Sequence, residues 1–387
     1  MVSPFEFATA ARIIFGVGVI TQLGSVAAEH GRRALVVTGR DPARAQPVLE
    51  VIRAAGLTTT VFCVAGEPST DDAERGVAAA RAGACDLVIA VGGGSPLDAG
   101  KAIAALLRNP GPALDYLEVV GRGRPLSEDP APFIAVPTTA GTGSEVTRNA
   151  VLTAREHGVK VSLRSARMLP RAAIVDPALT LSLPPHITAD CGLDALTQLI
   201  EPLVSHRHNP ITDALCRDGI TRAARSLRRA CSHGHDLDAR SDMALASLLG
   251  GLALANAALG AVHGLAGPIG GMFPAAPHGA VCARLLPELL QLNVRALHER
   301  SPDDPALARH HEVARLVTGD PAASIAEGIT WIRDLVAALQ VRPLAAHGLT
   351  LTDLPVLVDR ARHASSMRGN PIVLTDAELH EALAAAL

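Results

Sequence analysis

The chain has 387 residues, of which 48% are hydrophobic and only 2% aromatic, with a formal net charge of −3. That length favours two cores over one. The scarcity of aromatic rings argues against a stacking platform for single-stranded nucleic acid, and the near-neutral charge without a long basic run argues against nucleic-acid or membrane-surface partners.

The first half alternates short apolar runs with helical patterns. Residues 34–38 read as a strand, 43–55 as a helix, 58–64 as a second strand and 71–82 as a second helix. Residues 86–91, 133–136 and 173–176 follow as further buried strands, and the polar, Pro-rich stretch 121–132 reads as a surface loop. This rhythm predicts a parallel sheet covered on both faces. From residue 183 the period changes to 3.6, in segments 188–204, 212–230, 241–265, 278–299 and 325–339. The expected organisation is an α/β domain over residues 1–182 and an all-α domain over 183–387. Residues 243–262 carry no charge and are long enough to span a bilayer. Their Ala and Gly content and Asn256 favour a buried central helix, with His263 at its end. Neither a signal-peptide pattern nor a CxxC pair occurs, and the six scattered cysteines fit reduced thiols, so a cytoplasmic location is expected.

Only two residues are lysine, Lys101 and Lys160. Lys101 closes the run Val91-Gly-Gly-Gly-Ser-Pro-Leu-Asp-Ala-Gly-Lys101, which follows a predicted strand and opens a helical stretch. A strand, a glycine turn and a helix start make an anion site from backbone N–H groups and the helix dipole. A compact ammonium on a flexible stem suits the same task, so the Lys101 amine is expected to face a nucleotide. A second glycine loop, Pro137-Thr-Thr-Ala-Gly-Thr-Gly-Ser-Glu145, also follows a strand. Two such loops at strand ends of one sheet point to one ligand spanning both, such as a dinucleotide.

The helical half offers metal-ligand chemistry. Asp194 and Gln198 are spaced i, i+4 and share a helix face. His263 follows the long apolar run, and His278 follows Pro277 at a predicted helix start. One carboxylate and two imidazoles suit Zn²⁺ or Fe²⁺ with positions left for substrate. A core role for His263 and a capping role for His278 are the competing readings.

Taken in order, Gly92-Gly-Gly-Ser-Pro-Leu-Asp98, the second glycine loop, Asp176-Pro, Gly192-Leu-Asp-Ala-Leu-Thr197, Ala261-Val-His263 and Pro277-His-Gly279 resemble the iron-activated, metal-dependent alcohol dehydrogenase family. That family shares the dehydroquinate synthase-like fold with glycerol dehydrogenase and includes maleylacetate reductases. The resemblance covers nearly the whole chain. It implies an N-terminal dinucleotide-binding domain, a helical metal- and substrate-binding domain, and a metal in the cleft between them. It places Gly93, Gly94 and Ser95 around the cofactor pyrophosphate and Asp98 near the nicotinamide. Thr138, Thr139 and Thr142 fall on the adenine and ribose side, and Lys160 at a ribose contact. The implied metal ligands are Asp194, His263 and His278, which also carry the catalysis through the metal, and Asn149 falls in the substrate pocket. Homodimers built through the first strands, here residues 6–15, are also implied.

Three positions depart from the family pattern. Gln198 stands where a histidine ligand is common; a glutamine carbonyl is a weaker optional ligand, which makes zinc at least as plausible as iron. Gly267 stands where another histidine is common, with His206 and His208 as substitutes for a proton route. Gly39 and Arg40 follow the strand ending at Thr38, where NAD-preferring members carry an acid, so NADPH should be tolerated. The expected activity is a metal-dependent, NAD(P)-linked oxidoreductase acting on a small alcohol or its aldehyde or ketone. The alternatives are a maleylacetate reductase-type enzyme, with Arg148 and Arg207 as candidate contacts for a dicarboxylate, and a nucleotide-binding protein with little catalysis.

Overall fold

A computed structural model describes residues 4–387. The strands and helices of the first half are β1 (Ile13–Phe15), α1 (Leu23–Ala28), β2 (Arg33–Thr38), α2 (Gln46–Ala54), β3 (Thr58–Cys63), α3 (Thr70–Ala82), β4 (Leu87–Gly92), α4 (Gly94–Arg108), β5 (Phe133–Pro137), β6 (Asn149–Ala154), β7 (Val159–Arg164) and β8 (Ala172–Val175). Six strands form a parallel sheet in the order β1-β8-β5-β4-β2-β3. Successive side chains of β2 and β4 are buried on opposite faces. Leu35, Val37, Val88 and Ala90 pack toward α3 and α4, and Ala34, Val36, Leu87 and Ile89 toward the core that holds residues of α1 and α2. Continuous apolar strands of this kind are what a sheet covered on both sides requires. Each fully buried Leu, Ile or Val contributes roughly 1.5–3 kcal/mol. A capping box starts α3, where Ser69 Oγ accepts from the Asp72 amide at 3.2 Å and Asp72 Oδ2 accepts from the Ser69 amide at 3.0 Å. The antiparallel hairpin β6–β7, paired from Asn149↔Arg164 to Ala154↔Val159, was not expected. β6 alternates buried and half-exposed residues and β7 is mostly half-exposed, so no run is apolar enough to stand out.

The second half is helical: α5 (Pro185–Val204), α6 (Pro210–Ser232), α7 (Leu237–Asn256), α8 (Ala261–Met272), α9 (His278–Arg300), α10 (Ala306–Thr318), α11 (Ile325–Ala338), α12 (Leu354–Arg362) and α13 (Asp376–Ala386). Helix α5 is buried from Gly192 to Val204, packs against α6, α7 and α9, and forms the axis of this unit. Two compact units emerge, one holding Ala8–Thr139 and Gly143–Leu181, the other holding Ser182–Leu387, Ala140–Thr142 and the described residues before Ala8.

One expectation is corrected. Residues 241–265 do not form one helix; α7 ends at Asn256 and α8 starts at Ala261, bent by 97° from it. His263 therefore lies in the first turn of α8 and does not end the apolar helix. The groups that allow the break lie far away in sequence: the Ala261 amide donates to Asn370 Oδ1 at 3.1 Å and the Val262 amide to Glu201 Oε1 at 2.7 Å. These acceptors satisfy amides that a new helix start leaves bare. Among the described residues no single helix is long and apolar enough to cross a membrane.

Candidate active site

Asp194 projects from the middle of α5, His263 from the first turn of α8, and His278 and Cys282 from the first two turns of α9. One ligand atom from each lies within 4.8 Å of the other three. His263 Nε2 is 3.3 Å and His278 Nε2 3.8 Å from Asp194 Oδ1. Cys282 Sγ is 3.8 Å from His263 Nε2 and 3.7 Å from His278 Nε2. Asp194, His263 and Cys282 are buried; the His278 side chain is 34% exposed and gives the cluster its edge toward solvent.

The close packing of α9 on α5 depends on Gly279. A Cβ there would stand 2.0 Å from the Asp190 carbonyl oxygen, so any other residue would force the His278 end of α9 off α5.

Two partners hold the cluster in orientation. Gln198, one turn on from Asp194, donates from Nε2 to Asp194 Oδ2 at 3.1 Å. Glu201, two turns on, sits 2.6 Å from His263 Nδ1 through Oε2. The Nδ1 proton is thereby placed toward Glu201, and the Nε2 lone pair faces Asp194. Glu201 and Cys282 were missed in the sequence. Their signals were the spacings Asp194 to Glu201 (i, i+7) and His278 to Cys282 (i, i+4), each on one helix stripe.

A cation fits this arrangement. Asp194 Oδ1 is buried and accepts no hydrogen bond of acceptable geometry, while imidazole Nε2 atoms face it. A carboxylate oxygen and an imidazole lone pair directed at the same point repel unless a positive charge lies between them. The four groups also shift one another's proton affinities. Burial would raise the Asp194 carboxyl, but the His263 and His278 imidazoles outweigh it and hold it below the usual range. Burial would lower His263, yet Cys282, Glu201 and Asp194 raise it well above normal. Chiefly Cys282, opposed by burial, raises His278. Cys282 is lowered by the two imidazoles against its own burial.

In the sheet unit, β4 runs through Gly92 into α4. Gly92 has φ +155°, and a Cβ there would come within 2.6 Å of Pro96 Cγ, so only glycine permits this turn. Helix α4 starts with Gly93, Gly94 and Ser95, and no side chain caps it. Bare N–H groups at such an end suit a diphosphate. Thr138 and Thr139, half-buried, follow β5 directly alongside, with the Thr138 amide donating to the Gly92 carbonyl at 2.9 Å. Thr142 belongs with the helical unit.

Lys101 does not present an amine to a ligand, contrary to expectation. It is 1% exposed, and its Nζ lies 3.0 Å from the Ser144 carbonyl, 2.9 Å from Thr147 Oγ1 and 3.2 Å from Asp98 Oδ1. Asp98 also accepts from Ser144 Oγ at 2.5 Å and from the Val151 amide at 3.0 Å. The pair pins the second glycine loop to α4. Lys101 lies one turn beyond Asp98, on the inward side of the helix, which the glycine motif alone does not disclose. Burial drives the amine below its ordinary proton affinity, partly offset by Asp98. Glu145, in the same loop, is pushed up to about 7 by burial, against the pull of Lys101.

Lys160, on β7, pairs with Glu67 at 3.1 Å. Asn149 opens β6 and is half-buried. Gly39 is half-buried and Arg40 exposed at the end of β2, with Arg40 Nη2 3.5 Å from the Ala65 carbonyl. Asp41 is occupied in capping the turn that follows, accepting from the Ala43 amide at 3.0 Å. His206 and His208 lie outside the four-residue cluster; His206 Nδ1 contacts the Asn370 carbonyl and His208 Nδ1 contacts Asp213 Oδ2, both at 3.1 Å.

A model of the iron-containing alcohol dehydrogenase family matches residues 10–177, and the model of that family's C-terminal domain matches residues 188–387. The 1,3-propanediol dehydrogenase of Klebsiella pneumoniae is 36% identical over 348 residues, 88% of each chain. A crystal structure of a 1,3-propanediol oxidoreductase superposes with a TM-score of 0.92 at 32% identity, covering 100% of both chains. The sulfoacetaldehyde reductase of Bifidobacterium kashiwanohense, solved in complex with NAD+, superposes with a TM-score of 0.87 at 30% identity, covering 99% of both chains. With a parallel α/β half followed by a helical half, and with these matches along its length, the chain has the dehydroquinate synthase-like fold, belongs to the iron-containing alcohol dehydrogenase family and is an alcohol dehydrogenase.

Proposed function

We propose that this enzyme transfers a hydride between a nicotinamide dinucleotide and a small alcohol or its carbonyl partner, using one divalent cation held by Asp194, His263 and His278. The observation that carries this reading is the buried Asp194 Oδ1, which accepts no hydrogen bond and has two imidazole nitrogens facing it at 3.3 and 3.8 Å. When bound, the cofactor exchanges the hydride and the cation polarises the substrate oxygen. The chain's own part is orientation. Glu201 fixes the His263 tautomer, Gln198 steadies the Asp194 carboxylate, and the uncapped start of α4 offers N–H groups to phosphate.

Gln198 serves here as a donor to Asp194, which favours its role as a supporting residue over that of a ligand. Gly39 brings no carboxylate, Asp41 is engaged by the Ala43 amide and Arg40 is exposed beside it, so a 2′-phosphate has a cation at hand. NADPH is therefore accepted. A kcat/KM preference for NADH above about tenfold, about 1.4 kcal/mol, would contradict this.

The test is a panel of short alcohols, diols, aldehydes and maleylacetate, assayed with both cofactors in the wild-type enzyme and the His263→Ala variant. Turnover of alcohols or aldehydes that disappears in the variant supports the proposal. Equal turnover in the two proteins refutes the assignment of His263, and reduction of maleylacetate alone refutes the substrate class.

A further inference from the structure

We propose that Cys282 is a fourth protein ligand to the cation, so that the site is a carboxylate–imidazole–imidazole–thiolate set selective for Zn²⁺. This rests on the metal reading above and deepens it.

The distances carry the argument. Around a tetrahedral zinc with bonds of about 2.0–2.3 Å, neighbouring ligand atoms lie roughly 3.3–3.6 Å apart. Four of the separations here are 3.3, 3.8, 3.8 and 3.7 Å. The sulfur is nearly equidistant from the two Nε2 atoms, as expected of an atom sharing their central point. At these separations an S–H hydrogen bond to either nitrogen is the competing role, and the sulfur scatterer sought below separates the two.

The elements support the same reading. His278 and Cys282 are spaced i, i+4 on α9 and so point to one side of it. Cys282 is fully buried with its sulfur toward the rings. The position one turn after Asp194, which shares its helix face, holds Gln198, whose amide nitrogen donates to the Asp194 carboxylate. The Cys282 sulfur joins the cluster from α9, one turn beyond His278. Sulfur also biases the choice of ion: thiolate with imidazole favours zinc, whereas an all-nitrogen-and-oxygen set leaves iron competitive. Zinc accepts a fifth ligand, so a fourth protein ligand does not close the site to substrate at the exposed edge of His278.

The test replaces the native ion with Co²⁺ and records the near-ultraviolet spectrum of wild type, Cys282→Ser and His263→Ala. Zinc K-edge absorption fine structure is measured on the wild-type protein alone. The proposal predicts stoichiometric cobalt in wild type with a sulfur-to-metal charge-transfer band. Cys282→Ser should retain cobalt but lose the band, and should bind zinc at least about tenfold more weakly, the least that loss of even an outer partner costs. The zinc spectrum should require one sulfur scatterer at about 2.3 Å. Bound metal with no band and no sulfur scatterer overturns the Cys282 assignment and leaves the three-ligand reading intact. Failure of wild type to bind either metal, or undiminished binding by His263→Ala, overturns the three-ligand reading itself. Should Cys282→Ser not fold, the fine structure of the wild type decides alone.

Discussion

Replacing Lys101 with Met separates a structural lysine from one that binds phosphate. The substitution keeps the length and removes the charge. It strips the Ser144 carbonyl and the Thr147 hydroxyl of a buried donor and leaves Asp98 without its cation. Breaking a buried pair in this way costs about 3–5 kcal/mol. Asp98 keeps two other donors, Ser144 Oγ and the Val151 amide, and is 15% exposed, which places the expected loss near the lower end, about 3 kcal/mol. Adding Asp98→Asn should recover part of it, with a coupling of about 1–3 kcal/mol. The assay is equilibrium urea unfolding followed by far-ultraviolet circular dichroism, with amide exchange read over residues 94–108. Tryptophan fluorescence is unsuitable, because Trp331, the only tryptophan, lies on α11 in the other unit. An unchanged unfolding midpoint combined with weakened, less salt-dependent cofactor binding would refute the reasoning and restore Lys101 as a phosphate ligand.

Three further outcomes are expected. In Glu201→Gln, one amide nitrogen must face either the Val262 N–H or the His263 Nδ1–H, both of which now donate to the carboxylate; metal affinity should fall about 10–100-fold in a chelator competition titration, and an unchanged affinity would show that Glu201 does not set the tautomer. His310, buried on α10 and bonded through Nδ1 to the Ala306 carbonyl, is lowered to about 4 by burial. Between pH 6.5 and 4 the unfolded imidazole gains a proton that the folded one refuses, so stability should fall with pH by up to about 3 kcal/mol. His310→Leu should flatten that slope in urea midpoints read from Trp331, and an identical slope would count against it. Gly279→Ala places a methyl 2.0 Å from the Asp190 carbonyl and should cost about 1–3 kcal/mol as overpacking together with bound metal; full metal content at wild-type stability would mean that α9 shifts freely.

Much of the sheet unit was legible because its strands are short, apolar and bounded by glycine and proline. β2, β4 and β5 read directly as buried runs. The hairpin β6–β7 was not, since buried residues alternate with half-exposed ones in β6, β7 is mostly half-exposed, and its polar positions resemble a loop. In the helical unit, periodicity disclosed α5, α6, α9 and α11. It failed at residues 257–260, where the chain leaves one helix for another without proline or charge. The break is stabilised by Glu201 and Asn370, 61 and 109 residues from the amides that they accept, and no local window contains them. The same distance in sequence hid what Glu201 does for His263. Asp194, His263 and His278 were recognised as candidates by residue type and by family resemblance, whereas their approach to one point, with Cys282 among them, is visible only in three dimensions.

The proposed chemistry requires one divalent cation among side chains of α5, α8 and α9. A crystal of the protein grown with Zn²⁺, with diffraction recorded on both sides of the zinc absorption edge, tests it most directly. One anomalous peak is expected within about 2.0–2.3 Å of Asp194 Oδ1, His263 Nε2 and His278 Nε2. A fully occupied zinc elsewhere, with these three side chains left without it, would mean that they do not form the metal site.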